Sequence, residues 1–214
     1  MESLSFLESK KLLEKYKIPF VKTKLCISKK EALDFAKSVG FPVALKISSS
    51  EILHKTDVGG VKLGIETEAD LGKAWDEIQK VVKQKVPKVK LEGILVQEMV
   101  FGREIALGMK RDAIFGPVLM FGLGGIFVEV LKDVVFRVAP VDKKEAKNMI
   151  TQIKGFEILK GFRGQEKVNL EKLTEIITRF SKLSLLEKDL KEIDLNPIMA
   201  NEKGSYILDA RFLL

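Results

Sequence analysis

The chain has 214 residues, 46% of them hydrophobic and 31% charged, which fits one generous domain or two small lobes and excludes a disordered chain. Its formal net charge of +7 suits an anionic ligand. The lysines are interleaved with acids, as in Lys143-Lys144-Glu145 and Glu187-Lys188-Asp189, and no basic run carries the aromatics that bind single strands, so nucleic acid is not an expected partner.

The N-terminus, Met1 to Glu8, is broken by acids and does not read as a secretory leader. An imperfect apolar stripe of Leu4, Leu7, Leu12, Leu13 and Tyr16 predicts a helix over Leu4 to Lys17, stopped by Pro19. A strand follows from Phe20 to Cys26. Cys26 is the only cysteine, which rules out an intrachain disulfide and fits a reducing cytoplasm. Ser28-Lys29-Lys30-Glu31 is a capping box opening a helix that Gly40 and Pro42 end. Pro42 to Ser48 reads as a strand with Val43, Leu45 and Ile47 on one face and Ala44 and Lys46 on the other. A strand at Gly60 to Ile65, a helix from Thr67 to about Val86 and a strand at Gly93 to Val100 complete the first half.

Further strands are expected at Arg103 to Met109, Val118 to Gly122 and Val134 to Val138, and helices at Asp142 to Lys154 and Asn169 to Leu186. The most apolar stretch, Gly116 to Leu131, is broken by Pro117, by glycines and by Glu129. It is too short for a bilayer span of about 20 residues, so no membrane partner is expected. A hairpin ends the chain, Leu190 to Ala200 and Ser205 to Phe212, turning on Asn201-Glu202-Lys203-Gly204. The pattern is α+β in two lobes, 1–100 and 101–214.

Four features point to chemistry. The only histidine, His54, lies in a polar segment between two strands, ahead of Gly59-Gly60. Imidazole takes up and releases a phosphoryl group near neutral pH, although a surface-loop histidine reads the same way. Lys46 on its strand face suits a phosphate, and equally suits solvent. Leu123-Gly124-Gly125 after a strand lets backbone N–H groups approach phosphate oxygens, or makes a tight turn. It has neither the P-loop nor the dinucleotide-fold spacing. In the hairpin, if Ala200 faces Ser205, Asn196 faces Asp209 and Asp194 faces Arg211, all on one side. An amide and a carboxylate so opposed are two hard oxygen ligands of the kind Mg²⁺ takes beside nucleotide phosphates. An ordinary polar face with an ion pair fits too, and Pro197 leaves room for a register slip.

Taken in order, the stretches Gly40 to Lys46, His54 to Val61, Val96 to Val100, Phe115 to Glu129, Glu192 to Ile198 and Leu208 to Arg211 resemble the β subunit, or ATP-grasp part, of the archaeal ADP-forming acyl-CoA synthetases, which are similar to succinyl-CoA synthetase. The resemblance covers essentially the whole chain. It implies an ATP-grasp fold holding ATP or ADP between two α+β lobes. Lys46 then binds the phosphates, Glu98-Met99-Val100 offers backbone groups to the adenine, Gly124-Gly125 approaches the nucleotide, and Asn196 and Asp209 hold Mg²⁺. His54 becomes a phosphohistidine relaying the phosphoryl group to ADP, on a loop for which Gly59-Gly60 is a candidate hinge. The reaction implied is acyl-CoA + ADP + phosphate to acid + ATP + CoA, in the cytoplasm. The chain shows no CoA-type glycine motif, so an α subunit carrying the CoA and ligase chemistry is expected, in an α2β2 assembly. Rival readings are another ATP-grasp carboxylate ligase that does not need His54, and a non-catalytic nucleotide-sensing subunit.

Overall fold

The computed structural model describes residues 2–49, 51–52, 55–125, 128, 130–161 and 166–214. It divides into two compact units, Val21–Met99 and Met1–Phe20 with Val100–Leu214.

The smaller unit is a four-stranded antiparallel sheet with two helices on one face. In chain order it holds β1 (Thr23–Cys26), α2 (Lys29–Val39), β2 (Val43–Ser48), β3 (Val61–Ile65), α3 (Glu68–Lys85) and β4 (Gly93–Glu98), with sheet order β1-β4-β2-β3. Ser28 caps α2, accepting the Glu31 N–H at 3.3 Å. The Glu31 carboxylate reaches past the cap residue to the Ile27 N–H, so the capping box is completed one residue early. The strand alternation is as expected: Val43, Leu45 and Ile47 are fully buried with Ala32, Ala36, Leu71, Trp75 and Ile78 of the helices. Lys46, on the opposite face, is half-buried.

The larger unit opens with α1 (Phe6–Lys15), capped by a true capping box of Ser5 and Glu8. It continues with β5 (Arg103–Asp112), β6 (Gly116–Leu123), β7 (Val134–Val138), α4 (Lys143–Gln152), α5 (Phe156–Leu159), α6 (Leu170–Leu186), β8 (Glu192–Ala200), β9 (Ser205–Ile207) and β10 (Ala210–Leu213). The sheet order is β10-β8-β5-β6-β7, with β9 also paired to β8. One sheet face, with Ile105, Leu107, Leu119, Phe121, Leu195 and Phe212, packs on Leu13, Met149, Ile176 and Phe180 of the helices. Phe121, Phe180 and Phe212 are fully buried, and each such side chain contributes roughly 1.5–3 kcal/mol through area removed from water. The Arg111 guanidinium, at the end of β5, donates to the carbonyls of Ser184, Glu187 and Leu190 and pins the end of α6 to the sheet.

The division corrects the expected lobes of 1–100 and 101–214. The first 20 residues belong with the second lobe. Leu13, Tyr16 and Ile18 complete its core, and Ser3 and Phe20 bridge to Leu213 and Ile207. Lys15 Nζ and Tyr16 Oη both donate to Glu187 Oε1, at 2.6 and 2.7 Å. An apolar stripe announces that a helix is buried, and is silent on which core it joins. Among the described residues no helix is long and apolar enough to cross a membrane.

Candidate functional site

In the smaller unit Lys46 sits mid-sheet, opposite Leu95 of β4 and Val61 of β3. A central strand fixes the Cα of such a lysine and leaves its long stem to reach an anion. At the end of β4 the Glu98 N–H donates to the Lys22 carbonyl at 2.9 Å and the Met99 N–H to the Pro42 carbonyl at 3.4 Å. Both donors are therefore engaged within the smaller unit. Met99 also accepts the Gly64 N–H on its sulfur, and Lys22 pairs with Glu98 at 3.9 Å.

His54 and Leu53 lie outside the described residues. The segment after them is tightly turned. Gly59 and Gly60 donate to the Thr56 and Lys55 carbonyls, and the Gly60 carbonyl accepts from Ile47. A Cβ on Gly60 would lie 2.5 Å from Ile47 Cδ1 and 2.9 Å from the Lys55 carbonyl oxygen; one on Gly59 would lie 2.8 Å from Val81 Cγ1. Close packing and, at Gly59, a φ of +73 are thus the observed reasons for this glycine pair; the loop for which it was a candidate hinge carries His54 outside the described residues.

In the larger unit the expected hairpin register is the observed one. Ala200 faces Ser205, Ile198 faces Ile207, Leu195 faces Ala210 and Asp194 faces Arg211. Pro197 brings no slip toward β9 and β10, but toward β5 the register shifts: Ile105 faces Ile198 and Leu107 faces Leu195, so β8 carries one extra residue at Asn196-Pro197. The ladder is interrupted on the other side, between β9 and β10, where Leu208 N–H donates to the Pro197 carbonyl and Asp209 accepts from Ala210. Asn196, exposed, and Asp209, half-buried, therefore stand at opposed positions beside that break. An amide oxygen and a carboxylate fit a hard cation that completes its shell with phosphate and water. Among the described residues no group of three or more His, Cys, Asp or Glu side chains could hold a metal without such help. Burial raises the Asp194 carboxyl above its ordinary range; Arg211 pulls it back, and Asp209 and Glu192 push it further up.

Gly124 and Gly125 follow β6. The Gly124 N–H donates to the Glu104 carbonyl at 2.7 Å, and a Cβ on Gly124 would lie 2.9 Å from Glu104 Cβ. Gly125 has φ +59, and a Cβ there would lie 3.1 Å from Glu104 Oε2. The turn borders a cavity of about 260 Å³ with Gly102, Arg103, Glu104, Leu123 and Ile158. Glu104 is the group that sequence patterns do not flag. Its one signal is an acid on the strand face that also carries Ala106 and Gly108. A second cavity, of about 460 Å³, lies farther along the same strands, with Gly108 and Met120 beside Phe136, Glu192 and Asp194.

The ATP-grasp domain family matches residues 1–214. The β subunit of ADP-forming acetate–CoA ligase I from Pyrococcus furiosus is 44% identical over 97% of this chain and 90% of its own length. ADP-forming acetate–CoA ligase I from Archaeoglobus fulgidus is 45% identical over 95% of this chain, which spans 30% of that longer protein. The dinucleotide-forming acetyl-coenzyme A synthetase 1 of Ca. Korarchaeum cryptofilum, solved with coenzyme A, Ca-AMPCP and HgCl+, matches with a TM-score of 0.95 and 43% identity over 100% of this chain and 93% of that one. The same enzyme with coenzyme A and Mg-AMPPCP, its phosphohistidine segment pointing towards the nucleotide binding site, matches at a TM-score of 0.86 and 38% identity, with the same coverage.

Proposed function

The chain belongs to the ATP-grasp family, and from that premise we propose that it is the nucleotide-binding β part of an ADP-forming acyl-CoA ligase. With its partner it would catalyse acyl-CoA + ADP + phosphate to acid + ATP + CoA and the reverse. The observation that carries this assignment is the match to a β subunit over 90% of that subunit's length. The acid is acetate in the relatives named above.

Each residue has a part. Lys46 neutralises phosphate charge from its strand. The Val100 N–H reads the base edge, since those of Glu98 and Met99 are engaged. Gly124-Gly125 lets backbone approach the phosphates, and Asn196 and Asp209 hold Mg²⁺, which supplies further charge neutralisation when bound. His54 carries the phosphoryl group. A β-phosphate oxygen of ADP forms the new bond to phosphorus as the bond to the ring nitrogen breaks, and that nitrogen takes up a proton. The barrier then falls mainly through positioning and charge, with little covalent work left to the protein. The phosphohistidine segment of the Korarchaeum relative supports His54 in this role.

The CoA and acid sites are assigned to an α partner, in an α2β2 assembly by analogy with the family, in the cytoplasm. The test is ATP formation from acyl-CoA, ADP and phosphate. The chain with its α partner forms ATP and the chain alone does not, and Lys46→Ala lowers the rate by about 100-fold or more. ATP formed by the chain alone, or by the α partner alone, contradicts the assignment.

A further inference from the structure

Behind the second glycine pair sits a carboxyl group without a part in the scheme above. Asp133 immediately precedes β7 and is 6% exposed. Its Oδ1 accepts the Lys154 N–H and its Oδ2 the Gly155 N–H, both at 2.7 Å. These donors form the corner between α4 and α5. A carboxyl group is tolerated at this depth because both oxygens are met, and two backbone N–H groups would be orphaned without it.

Glycines stand on either side. A Cβ on Gly122 would lie 2.6 Å from the Asp133 carbonyl oxygen and 2.9 Å from Val134 Cγ1. A Cβ on Gly155 would strike Leu123 Cδ1 and lie 3.2 Å from Asp133 Oδ2. The end of β6, residue 133 and the 154–155 corner therefore meet at distances that no side chain permits. From the corner, α5 carries Ile158 to the cavity that Gly124, Gly125 and Glu104 also line. Residue 133 thus stands between two walls of that cavity: its carboxyl group holds the 154–155 corner that leads into α5, and its backbone lies against Gly122, at the base of the glycine turn.

We infer that Asp133 is a positioning residue for the nucleotide. It does not touch the ligand; it sets the spacing between the Gly124-Gly125 turn and α5 at which backbone N–H groups meet phosphate oxygens. The inference rests on the nucleotide-binding function proposed above.

Calorimetric titration of the full chain with ADP and Mg²⁺ tests it, at a temperature where every variant is folded by circular dichroism. Stability loss alone then leaves the affinity of folded protein unchanged. Asp133→Asn, which points an amide N–H₂ at one of the two backbone donors, raises Kd about tenfold or more. Gly155→Ala leaves the carboxyl in place but forces the corner off Leu123, and has the same effect. The double variant is no worse than either single one by more than about twofold, because both act through one corner. Wild-type affinity in folded Asp133→Asn overturns the inference, whatever happens to its Tm. If that variant does not fold, wild-type affinity in Gly155→Ala overturns it instead. A wild-type chain that does not bind ADP overturns the nucleotide function and this inference with it. Binding that is weakened by Lys46→Ala and untouched by Asp133→Asn overturns the positioning role alone.

Discussion

Gly59-Gly60 in the smaller unit and Gly124-Gly125 in the larger are the same dipeptide beside a strand, and they answer to different neighbours. The first pair is wedged against Ile47 and Val81, and its missing side chains make room for hydrophobic packing. The second lies against the backbone and carboxylate of Glu104 at the rim of a cavity; each pair has one residue at positive φ, Gly59 at +73 and Gly125 at +59, so the difference lies in the neighbours. The first therefore serves the stability of its unit, and the second keeps backbone close to a polar opening. A glycine pair after a strand is a sign of close approach, and only its neighbours say what approaches.

Five changes break or sharpen that contrast. The largest effect belongs to the metal pair of the larger unit. Asp209→Ala lowers ATP formation with the α partner by about 100-fold or more, and leaves nucleotide affinity insensitive to chelator, whereas wild-type affinity falls when Mg²⁺ is removed. Asn196→Ala acts in the same direction. Chelator-sensitive binding that survives in both variants removes the hairpin from the metal site.

Next is Gly60→Ala, whose Cβ would press on Ile47 and the Lys55 carbonyl. It destabilises the smaller unit by about 1–3 kcal/mol, read by denaturant melting of the fluorescence of Trp75, the only tryptophan, which is buried there. Gly124→Ala, whose Cβ would press on Glu104, raises the Kd for ADP and Mg²⁺ about tenfold, about 1.4 kcal/mol, whereas Gly60→Ala leaves that Kd within about twofold. If the two substitutions exchange effects, the contrast between the glycine pairs is wrong.

The smallest effect tests the attachment of α1 to the larger unit. Hydrogen bonds from Lys15 and Tyr16 hold the Glu187 carboxyl below its ordinary range. The same contact, together with burial as the larger cause, pushes the Tyr16 hydroxyl up to about 12. A lowered carboxyl binds fewer protons folded than unfolded near its ordinary range. Its contribution is therefore complete above that range and lost as pH falls through the lowered value. Glu187→Gln costs about 0.5–1 kcal/mol at pH 7, a modest figure because the pair is partly solvated. The difference from wild type shrinks in acid. An equal loss at all pH values would mean packing, not charge, holds the contact.

The bulge at Asn196-Pro197, which lets both Leu195 and Ile198 face inward although they are three residues apart, was not legible, but the hairpin register was, because a two-residue side-chain period and a four-residue turn fix which residues oppose. The strand carrying Lys46 was legible for the same reason. The break at Leu208 and Asp209 was not, since nothing in the local pattern distinguishes it from continuous strand. Glu104 and Asp133 escaped because an acid at a strand end has no periodic signature; its meaning lies in backbone groups far along the chain. The four-residue α5 is too short to show a period, and α1 could not announce its partner core. The parts given to Lys46, Glu98, Met99, Val100, Gly124, Gly125 and His54 came from the family resemblance, with residue chemistry only permitting them. The metal pair alone had a geometric argument first.

The central claim is that the chain relays a phosphoryl group through His54, and labelling tests it most directly. The purified chain, wild type beside His54→Ala, is incubated with γ-labelled ATP and Mg²⁺, with and without its α partner. The account predicts acid-labile, base-stable label on the wild-type chain and none on the variant. Equal label on both chains, or none on either with partner and nucleotide bound, would contradict it.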